Sequence, residues 1–125
     1  MARLLLVDVF DNQVKEVECN ELDNYYKHLR CNCFDIAYRK VGGRYFDIFV
    51  DDIGLFAEHP IVSAMDSAGN PMLVGNLIFA NHDAEGNTTS LSDEDISIIK
   101  EHLMNVVDFD AEPIRQYRAV FPCDY

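Results

Sequence analysis

The chain has 125 residues, 49% of them hydrophobic, and a formal net charge of -12 from 22 acidic and 10 basic side chains. That is enough apolar material for one packed domain. Direct binding to nucleic-acid phosphates is disfavoured, because it requires clustered cations. No run approaches the roughly 18 apolar residues of a membrane-spanning helix, and the N-terminal "MARLLLVDVFDNQ" meets Asp8 and Asp11 too early for an export signal. The reading is a cytoplasmic protein with no membrane partner.

In chain order, "RLLLVDVF" and "QVKEVEC" read as a hairpin about the Asp11-Asn12 turn. "NELDNYYKHLR" follows as a short amphipathic helix, with Asn20 as its cap and Leu22, Tyr25, Tyr26 and Leu29 at spacings of three and four. "CFDIAYRKV" and "RYFDIFVDD" alternate about Gly42-Gly43 as a second hairpin. In it Phe46, Ile48 and Val50 share one face, and Tyr45, Asp47, Phe49 and Asp51 share a second, half-wet face. "IGLFAEHP" reads as a connector with at most one helical turn, ended by Pro60.

"IVSAMDS" and "PMLVGNLIFANHD" pair as a third hairpin around Ala68-Gly69-Asn70. In "TSLSDEDISIIKEHLMNVV", Ser92 caps, Asp93 to Asp95 occupy the positive first turn, and Ile96, Ile99, Leu103 and Val106 or Val107 form an apolar stripe, which predicts a helix over 93–107. Residues 108–125 lack a period and read as a tail anchored by Phe109, Ile114, Tyr117 and Phe121, packed on the domain or free for a partner. The expected fold is α+β: a mainly antiparallel sheet of about six strands with two helices, in a single domain over residues 1–107.

Gly75-Asn76 interrupts an apolar strand. This marks a bulge, a close backbone approach, or backbone left open for a ligand with Asn76 supplying a donor and an acceptor. The segments "FDIFVDDIGL" (46–55), "GNPMLVGNLIFAN" (69–81) and "TSLSDEDI" (89–96) resemble a domain-of-unknown-function family, DUF3846-like, of short proteins common in phage and mobile elements. The resemblance covers about half of the chain. It implies a small α+β domain of mobile-element origin and brings no catalytic residue.

Charge is distributed unevenly along the chain. Residues 1–24 carry six acids against Arg3 and Lys15, residues 25–44 carry five cations against Asp35, and residues 45–99 carry ten acids with no Lys or Arg. If Asp47, Asp51, Asp52, Asp66, Asp83, Glu85 and the cluster from Asp93 to Asp95 converge, they make a one-sign surface for a basic partner, with Phe49, Phe56 or Tyr45 as desolvated anchors.

Cys31 and Cys33, with His28 and Cys19 nearby, lack the second ligand pair of a structural zinc site, so no metal or cofactor is expected and the thiols are read as free. No nucleophile elbow, phosphate loop or dinucleotide fingerprint occurs. The leading reading is a non-enzymatic interaction module that binds a basic surface of a host factor, such as a nucleic-acid-handling protein, and so acts as a nucleic-acid mimic. The alternatives are a small-ligand binder or simple enzyme using Gly75, Asn76, His59 and His82, and a self-associating domain that pairs sheet edges in a homodimer.

Overall fold

The computed structural model describes residues 2–53 and 59–125. The expected connector turn and Phe56 lie in 54–58, outside the described residues. The remainder is α+β, with two helices and ten strands.

Strands β1 (Arg3–Asp8) and β2 (Gln13–Glu18) form the first hairpin, with Val7 opposite Val14. Helix α1 (Leu22–Leu29) follows. Its cap is Glu21 rather than Asn20, because the Asn24 side chain reaches back to accept the N–H groups of both Asn20 and Glu21. Strands β3 (Phe34–Val41) and β4 (Arg44–Asp51) pair in continuous register about Gly42-Gly43. A side chain at Gly42 would meet Ile98 Cγ2 at 2.5 Å, so glycine lets this turn lie against the second helix.

The apolar run 71–82 is two strands in two different sheets. Strand β5 (Val62–Met65) pairs with β6 (Pro71–Val74), the chain turns at Gly75-Asn76, and β7 (Leu77–His82) enters the other sheet between β1 and β4. The third hairpin is therefore β5–β6 alone. Gly75 has φ +78, a conformation other residues adopt only with strain. Asn76 is fully buried: its Oδ1 accepts the Val9 N–H at 2.9 Å, and its Nδ2 donates to the His28 carbonyl at 2.9 Å.

Strand β8 (Thr88–Thr89) pairs with the end of β7. Helix α2 spans Asp93–Glu101, with the expected Ser92 cap: Ser92 Oγ accepts the Asp95 N–H and Asp95 Oδ2 accepts the Ser92 N–H. The helix stops six residues earlier than its apolar spacing predicts, because 103–108 is strand β9 (Leu103–Asp108), paired with β10 (Arg115–Val120) from Leu103 opposite Val120 to Asp108 opposite Arg115. Leu103 and Val106 satisfy a helical spacing, but β-branched Val106 and Val107 suit a strand once a partner strand lies alongside.

Segment 108–125 supplies β10, an inner strand of the second sheet. Tyr117 is buried and Phe121 half-buried, whereas Phe109 and Ile114 are exposed.

The first sheet runs β2-β1-β7-β4-β3 with β8 appended, and the second runs β6-β5-β10-β9. One core cluster, including Phe46, Ile48, Leu77, Phe79, Ile99 and Val120, lies between the first sheet and the layer of second sheet plus α2. A smaller cluster, including Leu4, Leu6, Phe49, Ile78, Tyr25 and Leu29, lies between the opposite face of the first sheet and α1.

Two turns share one construction. In "DSAGN" (66–70) and "DAEGN" (83–87), the leading Asp accepts the N–H groups two and four residues on through Oδ1 and the Asn side chain through Oδ2, with Gly at φ +84 in each.

The acidic first turn of α2 is tied down by cations from distant segments. Arg3 bonds Asp93 at 2.6 Å as well as Glu16, and Arg44 bonds Asp95 at 2.7 Å and Glu94 at 2.8 Å. Burial pushes the Asp95 carboxyl up, but the Ser92 N–H and hydrogen bonds from Arg44, Asn81 and the Ser92 hydroxyl outweigh it and hold the group below its ordinary 3.8.

Asn76→Ala leaves the Val9 N–H and the His28 carbonyl without their partner and is expected to cost about 2–4 kcal/mol in urea unfolding. Gly75→Ala costs about 1–2 kcal/mol through strain, since its Cβ meets no atom of the described residues within 4 Å. An Asn76→Ala loss under about 1 kcal/mol would show that the corner does not depend on the amide. Because the folded Asp95 titrates below 3.8, its stabilisation is present above that pH and is lost as pH falls through the lower folded value. Asp95→Asn should flatten the acid limb of a stability-versus-pH curve, and an unchanged slope would assign that limb to other carboxylates.

Candidate functional site

Register fixes where the acidic residues lie. Strands β4 and β7 are antiparallel, with Val50 opposite Leu77 and Asp47 opposite Ala80. Asp51 and Asp52 therefore stand at the end of the sheet where Gly75 turns the chain, while Asp83 and Glu85, beyond His82, stand at the opposite end. Asp66 lies in the β5–β6 turn, whose Ser67 bonds Asp124, itself bridged to Lys40. The sequence-predicted acidic set does not converge; it divides between the two ends of the molecule.

Most of these carboxylates already have partners. Asp47 Oδ2 is 2.8 Å from His82 Nδ1. Asp66 and Asp83 are held below the ordinary carboxylate range, first by the backbone N–H of Asn70 and Asn87 respectively, as members of their own turns. Phe49 is buried, its ring 4.6 Å from that of Tyr25 and 5.6 Å from that of Phe34, and so faces α1 rather than solvent. Tyr45 is exposed and stacked on Tyr38 at 5.0 Å.

Asp51 and Asp52 open onto a cleft of about 200 Å³ that they share with Asp35 and Arg39. Asp35, Ala37 and Arg39 alternate along the inner face of β3, and β6 forms the facing wall with Met72, Leu73 and Val74. The cleft exists because β6 is the last strand of the second sheet and leaves the inner face of β3 uncovered. Sequence reasoning passed over Asp35 and Arg39, although the alternation of β3 puts both on one face with Ala37.

The acids cluster near the Phe34 end of β3, since Asp51 pairs with Phe34. Arg39 lies about 13 Å further along the strand. Its guanidinium lies 4.3 Å from the Tyr125 ring centre and donates to the Tyr38 carbonyl at 3.0 Å, while its buried Nε has no partner among the described residues. Among the described residues, Asp35, Asp51 and Asp52 make no ion pair.

Of the residues set out for a small ligand, His59 and Gly75 share a cavity of about 70 Å³ with Phe10, Arg30 and Asp51. His59 also borders a second cavity of about 210 Å³ beside Asp108 and Tyr117. Its Nε2 lies 3.1 Å from Asp108 Oδ2, and this bond, the Asp110 N–H and Arg115 lower the Asp108 carboxyl against the effect of its burial. A carboxylate that orients an imidazole is half of an acid–base device. None of the described residues lining either cavity is a serine, threonine or cysteine. Asn76 turns both amide groups inward to Val9 and His28, and His82 lies at the far end of β7 beside Tyr38, so neither joins His59.

All four cysteines are free. Burial pushes the thiols of Cys19, Cys31 and Cys123 up to about 11 each, so they stay protonated at neutral pH. Among the described residues, no three His, Cys, Asp or Glu side chains are grouped to hold a metal ion, and no helix is long and apolar enough to cross a membrane.

No curated protein and no solved structure matches the chain. The family described as "Domain of unknown function (DUF3846)" matches residues 2–104. With that match spanning the first sheet, both helices, the corner at Gly75-Asn76 and the acidic cleft, the chain belongs to the DUF3846 family.

Proposed function

We propose that the protein is a non-enzymatic interaction module of phage or mobile-element type that captures a basic surface of a host factor through the cleft between β3 and β6. The observation that carries this reading is the set of three carboxylates, Asp35, Asp51 and Asp52, that line one apolar-floored cleft with no ion pair among the described residues, Asp35 and Asp51 accepting only the neighbouring N–H groups of Ile36 and Ile53, while other acids of the chain bind Arg3, Arg44 and His82. An acidic opening on a protein of net charge -12 raises the encounter rate with cations and repels nucleic acid itself. The partner class is a protein whose own task is to bind phosphates, so the cleft competes as a nucleic-acid mimic. The low cost of desolvating Ala37, Val50 and Met72 supplies contact area beneath the charges.

A second reading is a small-ligand site at His59, favoured by the His59–Asp108 bond and the two cavities that flank the imidazole. It would use Gly75 as the open backbone of its wall.

Affinity capture from a bacterial extract at low and high salt, read by mass spectrometry, distinguishes these functions. Reversing Asp51 and Asp52 to lysine should weaken retention of the partner by about tenfold or more and flatten its salt dependence. Glu85→Lys, a charge reversal at the far end of the molecule, should leave it unchanged. Equal effects from the two ends would overturn the cleft and leave general acidity as the cause. Retention lost with His59→Gln but kept with the lysine variants would favour the second reading.

A further inference from the structure

Strand β3 is the free edge of the first sheet, and its backbone shows which groups are open. The Lys40 N–H donates to the Asp124 carbonyl at 2.7 Å and the Asp124 N–H donates to the Lys40 carbonyl at 3.0 Å, so Lys40 turns its backbone groups away from β4. Successive residues of a strand alternate in this respect, and β3–β4 pairing has no bulge, so Tyr38 and Ile36 turn theirs outward as well. Asp124 occupies the position opposite Lys40. Opposite Tyr38 and Ile36, side chains stand in for a strand: Asp35 Oδ1 accepts the Ile36 N–H at 2.8 Å, and Arg39 Nη1 donates to the Tyr38 carbonyl.

Those two stand-ins are the side chains that also line the cleft. An incoming strand that took over the Ile36 N–H and the Tyr38 carbonyl would release the Asp35 carboxylate and the Arg39 guanidinium into it. On the opposite face, Ile36 and Tyr38 are each 51% exposed and Tyr45 46%, an apolar strip running beside the open backbone. An edge with charged neighbours alone would be a protected edge; exposed aliphatic and aromatic side chains beside unpaired backbone are what strand addition uses.

We propose that β3 receives an extended, basic segment of a partner as an added strand opposite Ile36 and Tyr38. Alternate side chains of that segment pack on Ile36 and Tyr38, and its lysines or arginines point into the cleft toward Asp35, Asp51 and Asp52. Arg39 and Lys40 mark the other end of the edge, so the segment's cations fall at the Phe34 end. The inference rests on the interaction reading above and adds how the partner is held.

The test is amide hydrogen exchange by NMR on the full chain with three probes: the hexapeptide Lys-Val-Lys-Val-Lys-Val, its Glu-Val counterpart, and the lysine peptide N-methylated at alternate backbone nitrogens. The expected result is exchange at Ile36 and Tyr38 slowed by at least about tenfold with the lysine peptide, and little changed by the other two. Ile36→Pro, which removes an outward N–H from an edge strand, should abolish the slowing at Tyr38; the methylated peptide asks the same question without altering the protein.

Shifts at Asp51 and Asp52 without protection at Ile36 and Tyr38 would overturn strand addition and leave charge capture standing. Equal protection by the Glu-Val peptide would overturn the basic occupant and, with it, the acidic-cleft reading. Protection that rises with protein concentration alone would assign the edge to a second copy of this chain and overturn the proposal.

Discussion

The Asn76 carboxamide touches three segments that are far apart in sequence. It accepts from Val9 just after β1, donates to the last turn of α1 at His28, and sits at the corner where one continuous run of chain leaves the second sheet and enters the first. Buried without those partners, the amide would be a liability; with them it fixes the angle at which β6 gives way to β7. The cleft depends on that angle, because β6 is one wall and β4, paired to β7, carries Asp51 at its end. The feature that looked most like ligand-binding backbone in the sequence is thus the joint that holds the two sheets together.

The uneven charge along the chain acquires a different meaning once it is folded. Arg3 of β1 and Arg44 of β4 close onto the three consecutive acids that open α2, and Arg30 and Arg115 close onto Asp11 and Asp108. The exposed pairs among these contribute little individually, whereas the side chains of Asp95 and Asp108 are largely buried; all of them remove charge from the surface in specific places. What remains at the corner end is Asp35, Asp51 and Asp52. Chain order concealed this, because Asp35 belongs to the segment that looked basic.

The α+β class, both β1–β2 and β3–β4 hairpins, the Ser92 cap and the family were legible in the sequence, each carried by a local pattern: alternation, a two-residue turn, or a capping box. Three things were not. The end of α2 at Glu101 follows from β10 lying alongside β9, a contact that a spacing of three and four at Leu103 and Val106 cannot express. Segment 115–120 becomes an inner strand because it finds β9 on one side and β5 on the other, with Val120 opposite Ala64 in parallel. The matched Asp-x-x-Gly-Asn turns were readable in principle, since each repeats the same five-residue pattern between two strands, and they account for Asp66 and Asp83 as turn residues. For the site, Asp51 and Asp52 were legible and their company was not, because β3 and β6 meet only through tertiary structure.

The central position of β7 also governs the order in which the molecule can be completed. Leu4, Leu5, Leu6 and Val7 are at most 1% exposed in the finished fold, yet the strand that covers their open side pairs through Leu5 with Phe79 and Leu6 with Ile78. During synthesis, β2 and α1 emerge long before β7 does, so the apolar N-terminal strand waits on the ribosome with one edge bare. Such non-local pairing slows folding and lengthens the time in which that edge can find a wrong neighbour. A nascent chain of this design is therefore most exposed to aggregation, and most in need of a chaperone, before residue 77 leaves the exit tunnel.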